Sequence, residues 1–202
     1  MNHRLQCRCG KLTGTVAEPA SAIRAICYCN DCRAYAFHLG TPNAVLDANG
    51  GTSVVATQGR HVAIDKGAEH LACVSLSPKG LLRWYALCCT TPIANTPRDW
   101  RLPYVGLVHN GLAKPLEASF PAAQMPVNAS KLRNRPSRPG LRGFLALTRF
   151  GGRMIFARLT GRYRTTPFFT ADGQPVVNID VLSREERDKA TRAAQASFDP
   201  SS

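Results

Sequence analysis

The sequence predicts a mainly β fold with a basic helical extension at its C-terminal end. Across residues 44–63, short apolar runs alternate with turn residues, and Asn49-Gly50-Gly51 is a strong hairpin signal. Between residues 143 and 164, apolar residues instead recur at helical spacing among arginines. Up to about residue 110 we expect no helix of ordinary length. We therefore place a β domain at 1–115, and at 116–202 a basic linker and helical extension packed on that domain.

Turn residues and caps bound the other predicted elements. Glu18-Pro19 ends a first strand, and residues 23–28 predict a second strand that leads into a group of cysteines. A short helical turn is expected at 33–39. Two more strands are predicted at 71–76 and 81–87. The capping box Ser183-Arg184-Glu185-Glu186 predicts a terminal helix to about Ser197.

The composition is that of a globular chain. With 202 residues, of which 44% are apolar, the chain can bury a sizeable core. Its first ten residues are polar and basic, and it has no run of 18 apolar residues, so we expect no transmembrane segment and a cytoplasmic location. In that reducing compartment, eight cysteines in tight clusters indicate metal ligands rather than disulfides.

Cys27, Cys29 and Cys32 form a C-x-C-x-x-C pattern, the strongest chemical signal in the chain. In an extended chain Cys27 and Cys29 point to the same side, and a C-x-x-C turn lets two thiolates meet at one tetrahedral ion. The spacing therefore predicts a zinc site. Three protein ligands leave one coordination position open, which is typical of a catalytic zinc; the alternative is a closed structural site with a fourth ligand elsewhere in the chain.

A second set of cysteines comprises Cys7 and Cys9, another C-x-C pair, with Cys88 and Cys89. We expect these four to form a closed structural zinc site. We also expect the two C-x-C pairs of the chain, Cys7 with Cys9 and Cys27 with Cys29, to lie on neighbouring strands. Adjacent residues of an extended chain point to opposite faces, so Cys88 and Cys89 can both bind only if the backbone turns there. The alternatives are three thiolates with water or Cys73, or a Cys88 that is simply buried, and we favour Cys89 over Cys88 as a ligand.

The central cluster favours a thiol substrate. Three thiolates neutralise most of the charge of a zinc ion, which makes it a weaker Lewis acid than a histidine site and a suitable partner for a fourth sulfur. A thiol that binds there would lose its proton. Arg33, directly after the cluster, is a candidate for binding a substrate carboxylate, and a solvated or fold-stabilising arginine is the alternative.

The motifs occur in the order C-x-C-G-x-x-x-G, C-x-C-x-x-C-R, and then arginine with an aromatic residue, cysteine and Thr-Pro. In this order the chain resembles the family of glutathione-dependent formaldehyde-activating enzymes and centromere protein V, over roughly residues 4–95. The matching residues are Cys7, Cys9, Gly10, Gly14, Cys27, Cys29, Cys32, Arg33, Arg83, Cys89, Thr91 and Pro92.

The resemblance implies an Mss4-like, mainly β fold with two zinc ions. It also implies a carbon–sulfur lyase, in which glutathione and formaldehyde combine as S-hydroxymethylglutathione at the three-cysteine zinc. Candidate residues are then Cys27, Cys29 and Cys32 for the open catalytic site, and Arg33 and Arg83 for substrate binding.

The chain departs from this family at the last motif. A C-x-x-C-G pattern is expected where Ala86-Leu87-Cys88-Cys89-Thr90 stands. Ala86 replaces the first cysteine of the pair. Cys88 is the obvious replacement ligand for the second zinc.

The formal net charge is +13, and much of the excess lies away from the cysteines. Between Glu117 and Asp172 the chain has ten basic residues and no acidic one. Arg133, Arg135 and Arg138 belong to the linker, and Gly151-Gly152 is an expected interruption of the helical pattern. One interpretation is a basic amphipathic surface for lipid headgroups or nucleic acid. The other, which we favour, is an amphipathic helix packed on the domain with its arginines solvated.

We therefore favour a zinc-dependent carbon–sulfur lyase that acts on an adduct of glutathione or another small thiol. The alternative is a non-enzymatic zinc-binding module that binds nucleic acid or chromatin through the basic region 131–164. The sequence leaves the oligomeric state open.

Overall fold

The computed structural model describes residues 2–122, 124–129 and 140–198. Within these ranges the strands are β1 (His3–Gln6), β2 (Thr13–Val16), β3 (Ile23–Cys27), β4 (Thr52–Gln58), β5 (Val62–Lys66), β6 (Leu71–Ser75), β7 (Leu82–Ala86), β8 (Thr91–Thr96), β9 (Tyr104–Val108), β10 (Gln124–Val127) and β11 (Ile179–Val181). The α-helices are α1 (Asn30–His38), α2 (Pro42–Val45), α3 (Leu141–Leu159) and α4 (Arg184–Phe198).

The described strands form two sheets. The smaller is antiparallel, in the order β1-β2-β5, and the larger has eight strands in the order β10-β3-β4-β9-β8-β7-β6-β11. Neighbours in the larger sheet are antiparallel except at its two outer positions, where β10 runs parallel to β3 and β11 runs parallel to β6. The prediction of a mainly β fold with C-terminal helices is therefore confirmed.

The main core lies between the two sheets. Leu5 and Val16 of the smaller sheet and Trp84 and Leu107 of the larger one are fully buried in the same apolar cluster. Phe168, from beyond residue 115, joins them with its ring centroid 5.0 Å from that of Trp84. Since β10 and β11 also come from beyond residue 115, both the sheet and the core cross the predicted boundary between 1–115 and 116–202.

Helix α1 is longer than the short turn predicted at 33–39, and the expectation of no ordinary helix before residue 110 is wrong. The helix begins inside the cysteine pattern because Cys29 is its N-cap: the sulfur of Cys29 accepts the N–H of Cys32 at 3.3 Å. Ala34 and Tyr35 are buried on its inner side. Helix α4 packs over α1, with Ala190 and Ala194 buried.

The capping box of α4 forms as predicted. The N–H of Glu186 donates to Ser183 Oγ at 3.2 Å, and the N–H of Ser183 donates to Glu186 Oε2 at 2.9 Å. Each of these side-chain oxygens therefore accepts a backbone N–H that would otherwise be unpaired at the start of the helix.

Helix α3 runs through Gly151-Gly152, where the sequence predicts an interruption. Each glycine costs about 1 kcal/mol relative to alanine, but the backbone hydrogen bonds of a helix do not need side chains. A Cβ added at either position would meet nothing within 4 Å outside the adjacent helix backbone, so no close contact requires glycine there. The favoured interpretation, in which the apolar side chains of α3 pack on the domain, is wrong for most of them. Phe150, Met154 and Ala157 are the more buried apolar positions, whereas the other large apolar residues of the helix are exposed.

Lys131, Arg133, Arg135 and Arg138 of the predicted basic linker lie outside the described residues. Among the described helices, none combines the length and apolar character required to cross a membrane.

Candidate metal centres

Four thiols converge between β1 and the turn that joins β7 to β8. The sulfur atoms of Cys7, Cys9, Cys88 and Cys89 all lie within 4.8 Å of one another. Cys9 Sγ is 3.3 Å from Cys88 Sγ and 3.6 Å from Cys7 Sγ, too far for a disulfide. A tetrahedral zinc ion with Zn–S bonds of about 2.3 Å places its sulfur ligands about 3.8 Å apart. The cluster therefore fits a tetrahedral ion with four thiolate ligands. We call it the four-cysteine cluster.

The backbone turns sharply over residues 87–90, as the use of two adjacent cysteines requires. The N–H of Cys89 donates to the carbonyl of Ala86 at 3.2 Å. Thr90 has φ of +52°, a left-handed conformation that a β-branched residue rarely adopts. The turn lets neighbouring thiols reach one point. Cys88 thus lies in the cluster, while Ala86, which stands at the position where the resemblance leads us to expect a cysteine, is fully buried.

Thr91 and Arg8 hold Cys89 in place. The Thr91 hydroxyl accepts the backbone N–H of Arg8 at 3.1 Å and lies 3.0 Å from Cys89 Sγ, to which it can donate its proton. The Arg8 guanidinium donates to the Cys89 carbonyl at 3.1 Å. Burial alone would raise the pKa of Cys89, but hydrogen bonds from Thr91 and Cys9 lower that pKa to about 6. The thiolate that a metal requires is therefore favoured at neutral pH.

Replacing Cys88 with serine is expected to remove about one metal ion per chain. Three thiolates would remain in the four-cysteine cluster, and the hydroxyl of serine is a poorer ligand for a soft thiolate site. Metal content, measured by mass spectrometry of the intact protein under native conditions, checks the prediction.

Cys73 provides a matched control for this variant. It is a buried core residue of β6 and belongs to neither cluster, and burial raises its pKa to about 12. Cys73→Ala should therefore cost about 1 kcal/mol of stability with no loss of metal. A Cys88→Ser protein that keeps its full metal content would show that Cys88 is a core residue and not a ligand.

Three other thiols converge where β3 ends and α1 begins. Cys27 is the last residue of β3, Cys29 is the N-cap of α1, and Cys32 lies in its first turn. Their sulfur atoms lie within 4.8 Å of one another, with 3.4 Å between Cys27 and Cys29. In the part of the chain that the structure describes, no histidine, aspartate, glutamate or further cysteine joins them. We call this group the three-cysteine cluster.

The thiols of the three-cysteine cluster share their protons unequally. Hydrogen bonding with Cys29 and Cys32 lowers the pKa of Cys27 to about 2. The hydrogen bond with Cys27 raises the pKa of Cys29, and hydrogen bonds with Cys27 and Cys29, together with burial, raise that of Cys32. Cys27 is therefore the most readily deprotonated of the three thiols. Metal binding would release the remaining protons.

Arg83 lies under this cluster and not at the surface. Its side chain in β7 is only 2% exposed, and its Nη1 is 3.9 Å from Cys32 Sγ and 3.3 Å from Asn95 Oδ1. The guanidinium also lies over the ring of Tyr35, 5.1 Å from its centroid. Burial alone would lower the pKa of Arg83, but the neighbouring Cys32 raises it. A buried positive charge therefore stands beside the thiols, which favours their anionic state.

Three polar residues around the cluster were not predicted from the sequence. Asn95 accepts a hydrogen bond from Arg83. Asn128, directly after β10, donates its side-chain amide to Cys27 Sγ at 3.7 Å. Burial and the thiols of Cys32 and Cys27 raise the pKa of Tyr104 to about 12, which keeps its hydroxyl protonated. The Tyr104 ring lies over Gly106, where a Cβ would be 2.7 Å from the hydroxyl oxygen. No local motif marks these residues, because they lie far from the cysteines along the chain.

Arg33 has the fold-stabilising role that we considered as an alternative. Its Nε and Nη2 donate to the carbonyls of Gly50 and Asn49, at 3.1 and 3.0 Å. Its guanidinium lies 5.4 Å from the ring centroid of Phe198 in α4. The side chain therefore ties the turn before β4 to α1 and α4.

The structure thus defines a mainly β protein with two cysteine clusters, each arranged to hold a metal ion. The chain belongs to a family described as a family of unknown function (DUF6151), whose model matches residues 2–180. The match includes both clusters and ends within β11, before α4. No curated protein matches the chain.

Proposed function

We propose that the protein is a zinc-dependent carbon–sulfur lyase that acts on an adduct of glutathione or another small thiol. The observation that carries the proposal is the difference between the clusters: four thiols converge in one and three in the other. Four thiolates complete a tetrahedral site, whereas three leave a position for a substrate. The four-cysteine cluster then stabilises the fold, and the three-cysteine cluster is catalytic.

The chemistry of the ligands supports zinc in both clusters. Sets of thiolates alone select soft or borderline ions, and hard cations such as magnesium and calcium prefer oxygen ligands. A divalent ion with three thiolates carries one net negative charge. The buried guanidinium of Arg83 beside Cys32 offsets that charge, so an additional thiolate from a substrate is less strongly repelled.

The residues around the three-cysteine cluster suit a thiolate ligand. Asn128 donates towards Cys27, and Tyr104 stays uncharged, so neither adds a negative charge that would repel the substrate. A zinc ion in this cluster would lower the pKa of a bound thiol so that its sulfur is a thiolate at neutral pH. Arg83 is too deeply buried to bind a substrate carboxylate directly, so its contribution is electrostatic.

The resemblance to glutathione-dependent formaldehyde-activating enzymes adds the substrate to this proposal. That family has the same order of cysteine motifs except at the last one, and here these cysteines belong to two clusters, one with four thiols and one with three. The combination of glutathione with formaldehyde to S-hydroxymethylglutathione, and its reversal, are the reactions to test first. An Mss4-like fold is part of the same proposal.

X-ray absorption at the zinc edge tests the open position. If one zinc ion has four cysteine ligands and the other has three, the average should be about 3.5 sulfur neighbours per zinc. Adding glutathione should raise the average towards 4, because its thiolate becomes the last ligand of the three-cysteine site.

S-methylglutathione is the matched control, since it has the same shape and charges but no free thiol. It should leave the average number of sulfur neighbours unchanged. An average of 4 before any thiol is added, or one that glutathione does not change, would refute the open site and with it the lyase proposal.

A further inference from the structure

Helix α3 exposes a group of large apolar side chains. The exposed fraction reaches 80% at Leu159, 76% at Leu141 and 63% at Ile155. The other large apolar residues that are exposed on this helix are Phe144, Leu145, Leu147 and Phe156. Soluble proteins rarely leave so large a contiguous apolar surface uncovered unless it is an interaction site.

These side chains lie on one face of the helix. At 3.6 residues per turn, all of them except Leu147 lie within an arc of about 120° that points away from the domain. Thr148 and Gly152 are the other residues in that arc. The opposite side carries Phe150, Met154 and Ala157, which face the protein. The outward face of α3 is therefore apolar, and this is the reverse of an ordinary surface helix.

Arginines border the apolar face on both sides. Arg149 and Arg153 lie along one border, and Arg158 lies near the other. Arg158 is paired with Asp99 at 3.4 Å, whereas the side chain of Arg149 has no hydrogen-bond or ion-pair partner among the described residues. Helix α3 itself contains no acidic residue. Apolar side chains flanked by arginines are typical of helices that lie in the interface of a membrane.

A basic cavity of about 450 Å³ opens beside the arginine border. Four arginines line it: Arg149 and Arg153 of α3, Arg162 just after α3, and Arg60 from the turn between β4 and β5. Glu18 is its one acidic lining residue, and this carboxylate already faces Arg60 at 3.8 Å and His61 at 3.4 Å. The cavity therefore keeps an excess of positive charge, which suits a phosphate group.

We propose that α3 lies on an anionic lipid surface, with its apolar face in the membrane interface and the arginine-lined cavity facing a lipid phosphate. A lipid surface explains both features, because it offers apolar chains and negative charge together. A second copy of the chain would bring arginine borders against arginine borders with no acidic residue on either helix. A nucleic acid would use the arginines but would leave the apolar face in water.

Flotation of the full-length protein with vesicles tests the proposal. We expect the protein to bind phosphatidylcholine vesicles that contain about 30% phosphatidylserine. Binding should be much weaker with phosphatidylcholine alone and should fall as salt screens the charges. Ile155→Glu should weaken binding at least tenfold, because it places a charge within the apolar face. Arg149→Gln should weaken binding to anionic vesicles about fivefold.

Val181→Glu is the matched control, since Val181 is also exposed but lies far from α3. Helix α3 contacts β3, whereas Val181 belongs to β11 at the opposite edge of the same sheet. This variant should bind vesicles like the wild type. Circular dichroism of each variant shows whether the fold is kept. The metal content should be the same in all four proteins, so the result does not depend on the lyase proposal.

Three results would overturn the proposal. One is the absence of vesicle binding, or binding that Ile155→Glu leaves unchanged. Another is submicromolar binding of a labelled DNA duplex at about 0.15 M salt that Arg149→Gln weakens and Ile155→Glu does not, which would assign the surface to nucleic acid. The third is self-association in analytical ultracentrifugation that Ile155→Glu abolishes while vesicles are not bound, which would assign it to a second copy.

Discussion

Cys9→Ser is expected to destabilise the protein by several kcal/mol, although Cys9 is exposed to solvent. A substitution at an ordinary surface position changes the free energy of unfolding by about 0.5 kcal/mol or less. The large effect is expected because Cys9 is one of four thiols that join β1 to the turn between β7 and β8. In isolated zinc fingers, the binding of a structural zinc contributes on the order of 10 kcal/mol to folding.

Urea unfolding with and without a strong chelator separates the contribution of the metal to stability from that of the Cys9 side chain. The wild type should be much more stable than Cys9→Ser when metal is present, and the two should have nearly equal stabilities once metal is removed from both. A difference in stability that persists in the chelator would assign the effect to packing and not to metal binding.

Cys29→Ser is expected to abolish activity and to lose about one metal ion while the fold remains. Cys29 is both a member of the three-cysteine cluster and the N-cap of α1. Serine is among the best N-cap residues, so this variant removes the thiolate and keeps the cap. A metal ion can stabilise the charge that develops in a transition state by several kcal/mol. Its loss therefore corresponds to a fall in rate of roughly three orders of magnitude.

Comparison with Cys29→Ala isolates the role of the cap. Both variants should lose the same metal and the same activity, but alanine should cost about 1 kcal/mol more stability because α1 loses its N-cap. Activity can be followed by NMR of labelled formaldehyde exchanging with its glutathione adduct. If Cys29→Ser unfolded as readily as Cys9→Ser, the clusters would not divide into a structural and a catalytic site.

Much of the β structure and both cysteine sets could be predicted from the sequence, because these signals are local. Turn residues bound the strands, and the C-x-C and C-x-x-C spacings group the thiols. The expectation that the two C-x-C pairs lie on neighbouring strands is wrong. Cys7 and Cys9 follow β1 of the smaller sheet, and Cys27 ends β3 of the larger one.

The features that the sequence did not indicate depend on contacts between distant parts of the chain. Arg83 was selected by resemblance alone, and its position under Cys32 results from the packing of α1 on the sheet. Asn128 reaches Cys27 because β10 pairs with β3 about a hundred residues away. The outward apolar face of α3 was misassigned for a related reason: periodicity shows that a helix has an apolar face, but not which way that face points.

The two outer strands of the larger sheet limit its growth. An open strand edge presents unpaired backbone groups to which another chain can add. Here the edges are β10, which contains Pro126 and so lacks one N–H donor, and β11, which has only three residues. A fragment that ended at residue 115 would instead expose the edges of β3 and β6, both longer and largely apolar. Such a fragment would be prone to aggregate, so residues 116–202 also protect the sheet from unwanted strand addition.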